Sequence, residues 1–222
     1  MVHYKLTYFN ARGLAEISRQ IFHLADVEFE DHRLGEEEFA ELKPNLPTGQ
    51  VPILYIDNVS FSQSTAIARY LARKFGETLI IEHSRTLFGL GFSGKSPEEE
   101  LMADSIVDTF KDFIESFRKF VVAVLTGESE EKMNEIRKDV MIPATKTYFS
   151  YLNKVLEKSE SGFLVGNGLT WADLVVADNL TTLMNAELIN ADKEKKLMEF
   201  RQKILETPTL KEWLAKRPVT RF

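Results

Sequence analysis

The chain of 222 residues has no cysteine, which excludes disulfides, thiolate metal ligands, a cysteine nucleophile and a Cys-x-x-Cys redox pair. Any sulfur chemistry must arrive with a substrate. A surplus of positive charge is also lacking. Twenty-eight Lys and Arg stand against 34 Asp and Glu, a formal net charge of −6 and a pI near 5.4. That balance argues against a nucleic-acid backbone or an anionic membrane as partner. No apolar run approaches the roughly 20 residues of a membrane span. The opening Met1-Val2-His3-Tyr4-Lys5 has neither the basic nor the apolar region of a signal peptide, so a cytoplasmic location is expected. The four histidines, at 3, 23, 32 and 83, have no metal-ligand spacing, and no metal is expected. There is no Gly-rich phosphate loop and no serine-nucleophile motif, so hydrolase and nucleotide-binding readings have no support.

What is present reads in two halves. A composition of 44% hydrophobic and 28% charged residues suits a globular chain able to bury one large core or two modest ones. His3 to Phe9 alternates like a strand, and Leu14, Ile17, Ile21 and Leu24 follow at helical spacing. Val27 to Leu34 alternates again. Ile53 to Ile56, the turn pair Asp57-Asn58 and Val59 to Phe61 read as strand, tight turn and strand. Ser64 then opens a helix with Ile67, Ala68 and Leu71 on one face. From Pro97 onward every strong pattern is helical: Ile106, Phe110, Phe113, Phe117 and Val121, then Met133, Ile136 and Val140. Pro143 predicts a kink or break in the helix that resumes at Tyr148 and Leu152. Thr170-Trp171-Ala172-Asp173 reads as a capping box with Asp in place of Glu. The division expected is residues 1–78 as a small α/β domain, 79–96 as a linker, and 97–222 as an all-helical domain. A connection that long is usually functional or mobile.

Single residues carry modest signals. Val51-Pro52 enters a strand, where proline is confined to starts, edges and bulges, and the bond is either trans or cis. Gln63-Ser64 precedes a helix, so the Ser64 amide lies where a carboxylate is favoured, or simply in a cap. Lys43 ends an acidic helix and either reaches an anion or complements the dipole. Tyr8, near the end of the first strand, reads alone as a core aromatic. Asp108 and Asp112 share one helical face and suit solvent or a partner.

Read together and in order, these residues resemble a known family. Tyr4-Lys5-Leu6-Thr7-Tyr8-Phe9-Asn10, then Arg12-Gly13 and Ala15-Glu16, resemble the start of the sigma-class glutathione transferases, the class that includes haematopoietic prostaglandin D synthase. Leu46-Pro47, Gly49, Val51-Pro52-Ile53-Leu54, Gln63-Ser64 and Ala66-Ile67-Ala68-Arg69-Tyr70-Leu71 continue the likeness. Asp104-Ser105-Ile106-Val107-Asp108, Pro143, Gly166-Asn167 and Thr170-Trp171-Ala172-Asp173 carry it through the second half.

The resemblance implies a thioredoxin-like N-terminal domain, an all-α C-terminal domain and a homodimer that takes glutathione as co-substrate and adds its thiolate to hydrophobic electrophiles. It implies that Tyr8 donates to the glutathione sulfur, favouring the thiolate. Phe39, Lys43, Gln50, Val51, Pro52, Gln63 and Ser64 would hold the tripeptide, with Asp112 contributed by the partner subunit. Phe9, Leu14, Ile114 and Phe222 would line the electrophile site. Two positions depart from the prostaglandin synthase: Leu14 stands in place of an Arg and Phe39 in place of a Trp. About fifteen residues also intervene between Phe75-Gly76 and Phe92-Ser93, read as an inserted loop that is mobile, exposed and leaves the glutathione site intact. Glutathione-dependent isomerisation or peroxide reduction on lipid-derived substrates stays open, as does a non-catalytic binding or structural protein on the same fold.

Overall fold

A computed structural model describes residues 2–76 and 91–220. The first half begins with strand β1 (Tyr4–Phe9), a 3-10 turn (Gly13–Ala15) and helix α1 (Glu16–Leu24). Strand β2 (Glu30–Leu34), helix α2 (Glu36–Leu42), strands β3 (Ile53–Ile56) and β4 (Val59–Ser62) and helix α3 (Ser64–Gly76) follow. The sheet runs β2-β1-β3-β4. β1 is parallel to β2 and antiparallel to β3, which pairs antiparallel with β4. The β3–β4 turn places Asp57 at φ +53°, a conformation that Asp tolerates better than most residues and that two-residue hairpins require. Central position in the sheet fixes β1 on both edges, so its C-terminal end, Tyr8 and Phe9, is delivered rigidly to one end of the sheet.

The regular elements of the second half, among the described residues, are all helices: α4 (Pro97–Leu125), α5 (Glu130–Ile136), α6 (Ile142–Glu157), α7 (Trp171–Asn185), α8 (Lys195–Leu205) and α9 (Pro208–Lys216). Ser96 caps α4 by accepting from the Glu99 amide at 3.2 Å, and Pro97 occupies the first helical position, where its missing N–H costs nothing. The irregularity expected at Pro143 falls just before it. Arg137–Met141 form a π-helical turn, and Pro143 sits in the first turn of α6. A proline cannot accept the preceding turn in regular α geometry, and the extra residue of a π turn relieves that conflict.

α7 is buried along every face from Trp171 to Leu180, so it cannot follow the amphipathic rule of a surface helix. Its start is held by Asp173, whose carboxylate accepts from the Thr170 amide and hydroxyl, each at 2.7 Å, and from the Leu164 amide at 2.8 Å. One apolar cluster runs through both halves, from Tyr4, Phe22 and Leu71 to Phe92, Ile106 and Trp171.

Residues 77–90, with His83 and most of the expected insertion, lie outside the described residues. At the two described ends, the Gly91 N–H donates to the Gly76 carbonyl at 3.0 Å. Phe92 beyond it is fully buried, and its carbonyl accepts from the Trp171 amide at 2.8 Å.

Candidate active site

Tyr8 stands at the C-terminal end of β1, and the loop that follows folds back beneath it. The Leu14 N–H donates to Tyr8 Oη at 3.2 Å. That approach requires Gly13, which has φ +43° and whose Cβ, if it had one, would sit 2.5 Å from the phenolic oxygen. The side-chain departure at position 14 therefore matters less than its main chain, which any residue could supply. A cation is nonetheless close. The guanidinium of Arg19, fully buried, lies 5.9 Å from the centre of the Tyr8 ring. Burial pushes the Tyr8 hydroxyl above its ordinary pKa, while the Leu14 N–H and the Arg19 charge pull in the opposite direction. The net shift is upward, so Tyr8 holds its proton at neutral pH and is a donor.

Arg19 belongs to a buried ionic network that the sequence pattern gave no reason to expect. It pairs with Asp31 of β2 at 2.9 Å and with Glu16 at 3.6 Å, and donates to the Ala11 carbonyl at 2.7 Å. Glu16 also accepts from Trp213 Nε1 at 2.9 Å and from Arg217 at 2.6 Å. Arg217 reaches Asp178 of α7 at 3.2 Å, and both oxygens of Asp178 accept from Arg12 at 3.1 Å. The loop under Tyr8 is thereby fastened to α1, α7 and the residues after α9, and the Arg12 amide donates to Thr220 Oγ1 at 3.3 Å.

Two depressions meet beside Tyr8. The smaller, about 140 Å³, is lined by Gln50, Val51, Pro52, Gln63, Ser64 and Leu14. The Val51–Pro52 bond is cis, and Gln63 takes φ +77° while its carbonyl accepts from Ile67 N. Gln63 thus opens α3, leaving the Ser64 and Thr65 amides at the positive end of the helix dipole. The larger depression, about 770 Å³, is lined by Tyr8, Phe9, Leu14, Phe39, residues of α4 from Phe110 to Leu125, and residues of α7. Leu14, Ser64, Thr65, Phe110, Ile114 and Arg118 wall both, so a ligand in the small groove touches the large cavity. Its lining is mostly apolar, as electrophile pockets are.

The residues singled out from sequence fall into four groups. Gln50, Val51, Pro52, Gln63 and Ser64 come together in the groove, while Tyr8, Phe9, Leu14 and Ile114 come together in the cavity. Phe39 sits in the cavity wall, edge-on to Phe9 at 4.8 Å. Lys43, 5.9 Å from the Phe39 ring, and Asp112 are exposed and line neither space. Phe222 lies outside the described residues.

Comparison with known proteins agrees with this architecture. Residues 4–73 match the family described as the N-terminal domain of glutathione S-transferase, and residues 111–217 match its C-terminal domain. Glutathione S-transferase 3 of Caenorhabditis elegans is 68% identical over 222 residues, all of both chains. A Nu-class transferase structure from Haemonchus contortus superposes with a TM-score of 0.84 at 41% identity, covering all of both chains. The rat prostaglandin D synthase structure, complexed with a quinoline, superposes with 0.82 at 30%, covering 99% of this chain and all of that one. The chain belongs to the glutathione S-transferase family, with a thioredoxin-like N-terminal sheet domain and a helical C-terminal domain.

Proposed function

We propose that the protein adds the thiolate of glutathione to hydrophobic electrophiles, that it is a sigma-class cytoplasmic enzyme, and that it works as a homodimer. The observation that carries the catalytic reading is a protonated, half-buried Tyr8 in the wall of the apolar cavity, bonded to Leu14, which lines both the cavity and the groove. The glutathione sulfur lies against Tyr8 Oη, the cysteinyl backbone pairs with Val51, and the γ-glutamyl end meets Gln63 and Ser64. The α3 dipole favours its carboxylate. Gln50, Pro52, Phe39 and Lys43 flank the tripeptide. Asp112, exposed on α4, reaches the γ-glutamyl amine of the other subunit's ligand. The run from Tyr4 to Glu16 supports the class, and the absence of surplus basic charge fits a small-molecule substrate with no nucleic acid or membrane partner.

Hydrogen bonds to charged groups contribute about 1.5–3 kcal/mol, which corresponds to lowering a thiol pKa by about one to two units. Tyr8→Phe is therefore expected to retain binding to immobilised glutathione. It should lower aryl halide conjugation near pH 7 by about 10- to 100-fold, with the rate recovering as pH rises toward the free thiol value. Equal rates in both proteins would remove Tyr8 from the mechanism, and no retention by either would favour a non-catalytic reading. Light scattering on the same preparations tests the dimer, which a mass of one chain would contradict. The long apolar wall along α4 also favours a second reading, isomerisation or peroxide reduction of lipid-derived substrates. Turnover of a lipid hydroperoxide without a conjugate would select it.

A further inference from the structure

The cavity wall contributed by α7 is a single helical stripe: Trp171, Val175, Asp178, Asn179 and Thr182. Its polar members are not equivalent. The Asp178 carboxylate is committed to Arg12 and Arg217, and the Thr182 hydroxyl donates to the Asp178 carbonyl at 3.1 Å. The Asn179 side chain has no hydrogen-bond partner among the described residues. It is 5% exposed, its Oδ1 is sealed off without a hydrogen-bond partner, and among the described residues its Nδ2 has no bond either.

A buried carboxamide unpaired at both ends is a rare arrangement that costs stability, because its desolvation is not repaid by any bond. A leucine at the same position would fill similar space at no such cost. Native proteins keep few such groups, and those few call for a reason. In a cavity lined by Phe9, Leu14 and the aromatic face of α4, a lone uncommitted amide supplies the kind of polar contact that orients a ligand within an apolar pocket. Asn179 lines the cavity, and the Nδ2 hydrogens of an uncommitted amide can be donated to an acceptor carried by a ligand.

We propose that Asn179 is the specificity-determining polar contact of the electrophile site. It donates to an oxygen carried by the substrate, so the cavity selects electrophiles bearing a carbonyl or similar acceptor over hydrocarbon electrophiles of like shape. This rests on the conjugation reading above, and the test separates the two. Benzyl chloride and 4-acetylbenzyl chloride undergo the same step: the glutathione sulfur forms a bond to the benzylic carbon, chloride leaves with the bonding pair, and the thiol proton passes to solvent. They differ in one ketone.

The ratio of kcat/KM values, ketone over parent, is measured in wild type, Asn179→Leu and Asn179→Ala. Both variants should lower that ratio by about tenfold, mainly through KM for the ketone, with a melting temperature for Asn179→Leu equal to or above wild type. An unchanged ratio in active variants overturns the assignment. A ratio that falls in the leucine variant alone reveals a steric effect and overturns it too, as does a lowered melting temperature with both substrates equally slowed. A wild type that turns over neither substrate overturns the conjugation reading and this assignment with it.

Discussion

At the residue scale, the site depends on a contact made by backbone. Leu14 holds Tyr8 through its N–H, and Gly13 permits it by having neither a side chain nor a preference against φ +43°. Gly13→Ala introduces a Cβ 2.5 Å from the phenolic oxygen together with a strained dihedral, a backbone cost of about 1–2 kcal/mol. The expected outcome is a fall in conjugation rate of at least tenfold with modest loss of chemical stability, measured by initial rates and urea denaturation. Unchanged rates would mean that the Tyr8 position tolerates a shift. In the sequence, Arg12-Gly13 was visible as part of a motif, but the reason for the glycine was not. It depends on where the ring of Tyr8 comes to rest, and spacing along a strand does not contain that.

At the element scale, the strongest prediction concerns the start of α7. Burial lifts the Asp173 carboxyl from its ordinary 3.8 to about 6, against the pull of the bonds from Leu164 and Thr170. Between those values the folded chain holds a proton that the unfolded chain has released. This contribution to stability is complete below pH 4 and is lost as pH rises through 6. Across the window it changes by at most about 1.4 kcal/mol per pH unit. Urea melts of wild type and Asp173→Asn from pH 4 to 7 should show the difference between the two proteins varying with pH and levelling above 6. A difference flat across the range would contradict it. The helices and strands themselves were readable from periodicity, because their apolar faces recur at 3.6 or 2 residues. α1 was read only in part. Ile17, Ile21 and Leu24 announced its core face, yet Glu16, Arg19 and Gln20 are buried as well, and periodicity assigns charged residues to solvent. Nothing in one sequence says which distant partners, here Asp31, Trp213 and Arg217, will pair with Arg19 and Glu16.

At the scale of the whole molecule, that network and the shared apolar cluster join the two halves into one unit. Removing one partner of a buried charge pair typically costs about 3–5 kcal/mol. Glu16→Gln should therefore destabilise the entire chain by about 3 kcal/mol, since Arg217 keeps Asp178 and Arg19 keeps Asp31. Tryptophan fluorescence, reporting from Trp171 and Trp213 in the helical half, and glutathione retention, reporting from the sheet half, should be lost at one denaturant concentration. Two separated midpoints would mean that the halves unfold independently.

Asp178 and Asn179 are neighbours on α7, one turned to salt bridges and the other to the cavity. Directed evolution toward a new electrophile can explore side chains of similar size at 179 without breaking a salt bridge. A library that also randomises 178 will lose most of its members to misfolding, because Arg12 and Arg217 answer to that carboxylate. The same adjacency limits recombination between relatives. A crossover that brings in an α7 without this aspartate removes the carboxylate that Arg12 and Arg217 share, at a cost of about 3–5 kcal/mol.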